Sequence, residues 1–239
     1  MSIVLPKIFI DRSSDQKYAG LNGRPKISYS QVTSWKSEQY RPGYIKQYMC
    51  GIQLPDGIFS SFGSACGTYI EYLATKNPEC HEPYKHLLSN EDRKIIEDLE
   101  YPENSVYEDY IVVDMGDFVI EGYADRCEYK PDKKLNTHDF KTGSIVKKKS
   151  EYASPEYMQT NLYSYQKEND GYSIEECGVI MLDRAGNNSA KSPIRLTGKV
   201  EFIPTPYSRE RTEEFLDSTV RKTVEEISDY YQKYLKLFK

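Results

Sequence analysis

Two stretches of this sequence decide its fold: Val119-Ile-Glu-Gly-Tyr-Ala-Asp125-Arg126 and Thr137-His-Asp139-Phe-Lys141-Thr-Gly143. The first stretch contains β-branched and aromatic residues, which favour strands. The second stretch has the alternating pattern that is typical of a strand. Between them, Lys130-Pro-Asp-Lys-Lys134 has the composition of a turn. The two stretches therefore predict neighbouring strands joined by a tight connection, with the second strand over about residues 135–141.

The predicted hairpin gathers three charged side chains. Alternate residues of a strand face the same side, so Asp139 and Lys141 project together. A turn centred near Asp132 places Asp125 roughly opposite Asp139, where Cβ atoms lie about 4.5–5.5 Å apart. Two carboxylates this close repel each other, and a divalent cation relieves that repulsion through hard oxygen ligands. The lysine supplies a donor for a phosphate or an attacking water. This constellation suits metal-assisted hydrolysis of a phosphodiester.

Helical and strand patterns surround this hairpin. A first helix is expected from the N-cap candidates Ser28-Tyr29-Ser30 onward, carrying Val32, Trp35 and Tyr40 until Pro42-Gly43 ends it. Further helices are expected over residues 62–76, 90–99 (capped by Asn90), 155–168 and 208–238. Further strands are expected over residues 110–113, 118–123, 179–182 and 200–203. Helices before and after a mixed sheet make the predicted class α/β, with a central mixed β-sheet flanked by helices.

Composition narrows the function classes. The chain has 239 residues and a net charge of -5, which argues against nucleic-acid binding through bulk positive charge but not against a nuclease with metal-binding carboxylates. Its five cysteines are odd in number and none has Cys-x-x-Cys spacing, which predicts free thiols in the cytoplasm and no zinc or iron–sulfur site. No apolar run near the N-terminus is long enough for a signal peptide or a membrane span.

Neither repeats nor linkers are visible, so a single domain is expected over residues 1–239. It consists of an N-terminal extension (1–26), a core (27–203) and a C-terminal helix (208–238). The bare triplet Asp/Glu-x-Lys occurs in five copies and by itself means nothing. Only the copy at Asp139 has a paired upstream aspartate across a hairpin and a Thr-Gly turn after it.

At this point the chain resembles a known family, the PD-(D/E)XK nuclease superfamily, and within it the RecB-like branch of phage and bacterial nucleases. The resemblance covers roughly residues 27–203. Three matching motifs follow in family order: Gly122-Tyr-Ala-Asp125-Arg126, Asp139-Phe-Lys141-Thr-Gly143 and Gln159-Thr-Asn-Leu-Tyr163. Upstream, Ile27-Ser-Tyr-Ser-Gln-Val resembles the family's entry helix and Phe62-Gly-Ser-Ala65 its first core helix.

The resemblance implies a restriction-endonuclease-like core and a deoxyribonuclease that depends on Mg²⁺ or Mn²⁺. Asp125 and Asp139 would bind the metal, and Lys141 would be the catalytic lysine. Gln159 and Tyr163 would belong to the branch's helical Gln-x-x-x-Tyr motif and bind substrate, although a tyrosine packed in the core beside an exposed glutamine is equally natural at that spacing. The implied process is DNA recombination, repair or phage replication, with exonuclease action favoured over endonuclease action and a recombination or replication protein as partner.

One departure concerns the metal. The branch usually has a histidine where this chain has Gly67 after Phe62-Gly-Ser-Ala-Cys66. Glu71, four residues further on, lies on the same helical face, and a helix-borne glutamate is common in the wider superfamily. Glu71 is therefore the expected third ligand, against the alternative of a polar-face glutamate. The iron–sulfur cysteines of some relatives are absent.

Two alternatives stay open from the sequence. Lys147, Lys148 and Lys149 directly follow the expected site and could contact a phosphate backbone, or they could form a solvated loop. The whole protein could also be a catalytically inactive DNA-end-binding or accessory protein on a nuclease fold.

Overall fold

The computed structural model describes residues 3–5, 23–187, 189, 191–234 and 237. Its strands are β1 (Lys26–Ser28), β2 (Ser105–Asp114), β3 (Val119–Lys130), β4 (Lys134–Gly143), β5 (Ser173–Ala185) and β6 (Arg195–Pro204). Its α-helices are α1 (Tyr29–Lys36), α2 (Arg41–Tyr44), α3 (Ile58–Thr75), α4 (Asn90–Glu97), α5 (Ile145–Tyr152), α6 (Gln159–Asn169), α7 (Arg209–Glu214) and α8 (Arg221–Tyr234). None of these helices is both long and apolar enough to cross a membrane.

The six described strands form one mixed sheet in the order β1-β3-β4-β5-β6, and β2 pairs with β3. β1 runs parallel to the start of β3, and β4 runs parallel to β5. The pairs β3–β4 and β5–β6 are antiparallel. The expected α/β class, a central mixed β-sheet flanked by helices, is confirmed.

The chain divides into two compact units. The first takes its described residues from 1–55, 111–122 and 209–239, and the second consists of 56–110 and 123–208. Every candidate site residue belongs to the second unit. The single domain over residues 1–239 stays a prediction.

In the first unit, α1 starts as expected, because Ser28 and Gln31 form a reciprocal capping box. The helix stops at Lys36, short of Tyr40, and Pro42-Gly43 begins the separate helix α2, since proline fits a first helical turn. Of the predicted extension 1–26, residues 1–2 and 6–22 lie outside the described residues.

The predicted C-terminal helix 208–238 is helical from Arg209 to Tyr234, with a π-helical turn at Phe215–Val220 between α7 and α8. Residues 235, 236, 238 and 239 lie outside the described residues. At this π turn Leu216 is buried and the neighbouring Phe215 is half-buried. The other buried apolar residues, Val220, Val224 and Ile227, follow the expected spacing.

In the second unit, three local predictions were wrong. α3 begins at Ile58, four residues before the predicted start. α4 is capped by Ser89, whose hydroxyl accepts from the Asp92 amide, so Asn90 is already inside the helix. α6 begins at Gln159 and leaves Pro155 in the preceding loop.

Two apolar clusters hold the site strands in place. One packs α3 and α4 against β5 and β6, and its members include Phe62, Ala65, Ile96, Leu182 and Leu196. The other packs α5 against β5 and β6 through Ile145, Val179, Met181 and Ile203. Because the members of both clusters are buried, they supply hydrophobic free energy that holds the strands between helices.

Candidate active site

The β3–β4 hairpin sets the geometry of the site. Its register pairs Arg126 with His138 and Lys130 with Lys134, so one further step places Asp125 opposite Asp139. A carboxylate oxygen of Asp125 (Oδ2) accepts a hydrogen bond from the Phe140 amide at 2.5 Å, which ties the two strands together at this point. The predicted hairpin, with its turn at residues 131–133, is confirmed.

Asp139 is fully buried, and its carboxylate is surrounded by donors. The Lys141 ammonium lies 2.6 Å from Oδ2. The amide of Gln159 donates to Oδ1 at 3.1 Å, and the Tyr157 hydroxyl lies 3.3 Å from Oδ2. The strand β4 and the start of α6 thus fix the orientation of this carboxylate between them.

The Gln-x-x-x-Tyr spacing also has a structural role here. The Gln159 amide lies 2.9 Å from the Tyr163 hydroxyl, one helical turn further along α6. Tyr157, which precedes the helix, lies 3.0 Å from Gln159 Oε1. The sequence alone did not identify Tyr157 as a neighbour of Asp139, because the contact depends on how the loop before α6 packs on β4. Of the two expected substrate-binding residues of this helix, Tyr163 is buried and Gln159 reaches Asp139.

The electrostatics of the cluster favour an added positive charge. Burial, together with the charge of Asp139, raises the pKa of Asp125 well above its ordinary value. Burial alone would lower the pKa of Lys141, but the charges of Asp139 and Asp125 outweigh it and raise that pKa above the ordinary lysine value. Lys141 therefore stays protonated at neutral pH, and one ammonium faces two carboxylates.

A small cavity of about 40 Å³ opens beside Asp125. Its walls include Gly67 and Glu71 from α3, Glu108 from β2, and Phe140 from β4. Glu71, the predicted helix-borne ligand, is therefore on the same cavity as Asp125. The volume exceeds the ~10–15 Å³ that one water-sized sphere requires.

Glu108 is a functional candidate that sequence reasoning missed. It lies within β2 with a φ of +50°, a backbone angle that is uncommon for a residue with a side chain. Its charge contributes to the raised pKa of Asp125. The sequence had predicted the strand only from residue 110 onward, so Glu108 fell outside it. The available signal was the β-forming pair Val106-Tyr107 immediately upstream.

The donor set fits a hard divalent cation. The side chains around Asp125 offer carboxylate oxygens, and of the residues that the structure describes, no histidine or cysteine lines the small cavity. Among the described residues, no group of three or more His, Cys, Asp or Glu side chains is arranged so that it could hold a metal ion. The aspartates thus meet as a pair, with Glu71 and Glu108 on the cavity beside Asp125.

The three lysines Lys147, Lys148 and Lys149 lie on α5. The alternative that they form a loop was therefore wrong. Lys148 pairs with Glu151 at 2.6 Å, and Lys149 pairs with Glu201 on β6. Lys147 is exposed. Exposed ion pairs are weak, at about 0–1 kcal/mol, so a phosphate backbone could replace these partners. Their contact with substrate stays a prediction.

The reverse face of the same hairpin carries a different cluster. Arg126 donates through Nε and Nη2 to His138 Nδ1 at 3.2 and 3.1 Å, and through Nη1 to the Glu100 carbonyl at 3.1 Å. His138 Nε2 lies 3.0 Å from Glu176 Oε1. Because Arg126 only donates, His138 carries its hydrogen on Nε2. These groups line a cleft of about 690 Å³, together with Phe140.

Comparison with known proteins adds little to this geometry. No protein-family model matches the chain, and no curated protein matches it. Among solved structures, the crystal structure of SSO0001 is similar to this chain at 13% sequence identity, covering 71% of this chain and 78% of that one with a TM-score of 0.28. A likeness at that level carries no argument about fold or function.

Proposed function

We propose that this protein is a Mg²⁺- or Mn²⁺-dependent deoxyribonuclease that hydrolyses phosphodiester bonds of DNA. The observation that carries the proposal is the convergence of Asp125, Asp139 and Lys141 at the β3–β4 hairpin, with the Lys141 ammonium 2.6 Å from Asp139. The ordered motifs that resemble the RecB-like branch of PD-(D/E)XK nucleases support it. We assign the enzyme to exonuclease action in DNA recombination, repair or phage replication, in the cytoplasm of a bacterium or a phage-infected cell.

Asp125 and Asp139 would hold the cation, with Glu71 reaching it from α3. When bound, the cation would polarise a phosphate oxygen and lower the pKa of a bound water. Without it, burial and mutual repulsion favour protonation of Asp125. A site that keeps two carboxylates together at this energetic cost is suited to a cation and poorly suited to a purely structural role.

Lys141 is the catalytic lysine in this proposal. Its side chain is 31% exposed while the Asp139 side chain beside it is 1% exposed, so part of the lysine side chain reaches solvent and the carboxylate does not. A protonated amine there donates to a phosphate oxygen or orients an attacking water, and it stabilises the charge that develops on phosphorus oxygens.

Gln159 and Tyr157 act as positioning residues. Both contact the Asp139 carboxylate, so they hold its oxygens in one orientation and exclude water from that side. Preorganised ligands cost no reorganisation during the reaction. Direct contact of Gln159 or Tyr163 with a nucleotide stays a prediction.

Incubation of the pure protein with linear and circular DNA tests the function, with Mg²⁺, Mn²⁺ or EDTA in parallel. The proposal expects linear DNA to be degraded with either cation, circular DNA to survive, and EDTA to stop the reaction. Cleavage of the circle would assign endonuclease action instead. Retention of linear DNA without cleavage under all three conditions would identify a DNA-end-binding or accessory protein.

A further inference from the structure

The start of α3 presents an aromatic ring to solvent. Phe59, in the first turn, is 45% exposed. The guanidinium carbon of Arg184 lies over its ring, 4.1 Å from the ring centroid. One face of the ring is therefore covered by a planar cation, and the exposed part of the ring is available to a second planar group.

The ring belongs to the same helix as Gly67 and Glu71, which line the small cavity of the candidate active site. Phe59, Gly63, Gly67 and Glu71 are spaced by four residues and so form a row of neighbours that winds by about 120° around α3. A Cβ on Gly63 would lie 3.2 Å from the Thr142 hydroxyl, so this row packs directly on β4 at the residue after Lys141, whose own side chain projects from the other face of the strand. Gly67 and Glu71 line the small cavity with Asp125. Phe59 is about 12 Å from Gly67 along the helix axis, at 1.5 Å per residue.

Arg184, whose guanidinium covers the Phe59 ring, lies on β5 at the same end of the sheet. Arg184 follows Asp183, which pairs with Gly143, two residues beyond Lys141 on β4. Within the described structure, the Arg184 Nε makes no hydrogen bond. That nitrogen is buried, so the guanidinium contributes its charge and its plane over the ring, and not this donor.

We propose that Phe59 and Arg184 form a base-stacking platform for single-stranded DNA, a few nucleotides from the scissile phosphate. The inference rests on the proposed nuclease function and names its substrate form. A base has a free π face only where it is not stacked inside a duplex, so this platform recognises single strands or frayed ends. Stacking supplies contact energy without sequence preference, and the arginine adds attraction to the base and to a nearby phosphate.

Binding in EDTA tests the platform without cleavage. Fluorescence anisotropy is measured for a labelled short oligodeoxythymidine and for a blunt duplex of the same length. Phe59→Ala should weaken single-strand binding about tenfold, Phe59→Trp should retain it, and duplex binding should be unchanged. Ile58→Ala is the matched control, because Ile58 is adjacent and 42% exposed but has no ring. Arg184→Lys keeps the positive charge but loses the planar guanidinium, so it should also weaken binding of the single-stranded oligonucleotide.

Equal affinity of Phe59→Ala and the wild type for the oligonucleotide would overturn the platform, provided both unfold at the same temperature. So would an equal loss in Ile58→Ala, an equal loss for the duplex, or tighter binding of the matching oligouridine. The proposed function fails separately, in the cleavage assay with linear DNA. A protein that cuts nothing but loses single-strand affinity through Phe59→Ala would keep the platform and lose the nuclease.

Discussion

The two faces of the β3–β4 hairpin bury charged groups in opposite ways. On one face, Asp125 and Asp139 share a single nearby cation, Lys141, and the pKa of Asp125 is raised by burial and by its neighbour. On the other, Arg126 and His138 form a chain in which each ring nitrogen of the histidine has a partner. The residues alternate along the same two strands, so the difference arises from what packs on each face.

That difference separates stabilising from functional burial. A buried polar group with its hydrogen bonds made contributes to stability, whereas two buried carboxylates with one ammonium cost stability. The reverse face therefore needs no ligand to explain it. On the site face, the proposed cation would offset the excess negative charge of the two carboxylates. Substitutions on the site face should therefore change cleavage and its metal dependence, and substitutions on the reverse face should change stability. The following four predictions test this difference.

Asp139→Asn should show the largest effect, removing cleavage with little loss of fold, because a neutral amide is a poor ligand for a hard cation. The rate loss should exceed the ~10²–10³-fold typical of removing one stabilising group. Metal-dependent cleavage and circular dichroism are the measurements. Asp132→Asn is the control, since Asp132 is exposed in the turn at a φ of +58° that asparagine also tolerates. If a folded Asp139→Asn protein retained its activity, the assignment of the active site to this face of the hairpin would be wrong.

Lys141→Ala should depress single-turnover rates by about 10²–10³-fold. The metal concentration for half-maximal activity should stay nearly the same, because the ammonium stabilises charge and does not bind the cation. Lys134→Ala provides the comparison, because Lys134 is on the same strand and makes a 2.6 Å ion pair with Glu175 at an exposed position. Rates that match in the two variants would mean that Lys141 only balances the charge of Asp139.

Glu71→Ala should raise the metal concentration for half-maximal activity about 10–100-fold, with excess Mn²⁺ restoring part of the rate. Glu108→Ala, on the same cavity, shows which glutamate the cation uses. Gly67→His should bring no gain, although a Cβ at Gly67 meets no atom within 4 Å. Metal titrations of all three variants show which glutamate binds the cation. If the Glu71→Ala curve coincides with that of the wild type, Glu71 is only a glutamate on the polar face of the helix.

Arg126→Leu should act on the reverse face and change activity least. It leaves the buried His138 Nδ1 without its donor, which costs about 1–3 kcal/mol, and it removes the hydrogen bond to the carbonyl of the exposed Glu100. Urea unfolding measures this loss, and the metal titration should be unchanged. If Arg126→Leu shifted the metal titration without changing the stability, Arg126 would influence the metal site, and the two faces would not act independently.

The same variant has a pH signature. Burial and the charge of Arg126 lower the pKa of His138, so the folded state holds it neutral. The unfolded chain binds the proton near pH 6.5, so the wild type loses this contribution to stability as the pH falls below that value. Without Arg126, the pKa of His138 should rise and the acid-induced loss should shrink. His81, whose pKa burial also lowers, titrates in both proteins and cancels in the difference.

Local rules were sufficient for the hairpin. The period of two along a strand and the turn at Lys130–Lys134 determined that Asp125, Asp139 and Lys141 converge, and the register confirms this. The α/β class also followed from the order of helical and strand patterns. These features depend on neighbours a few residues apart, and such information is present in the sequence itself.

The remaining features required the tertiary structure. Asp92 joins α4 to β6, because its carboxylate also accepts a hydrogen bond from the Leu196 amide across the fold. Glu108 joined the cavity because β2 extends further than its composition indicated, and Gln159 reached Asp139 because α6 packs on β4. The amino-acid sequence by itself determined which charged residues share a strand face. Only packing between distant segments decided which of them are buried together, because burial and charge balance depend on every element that covers that face.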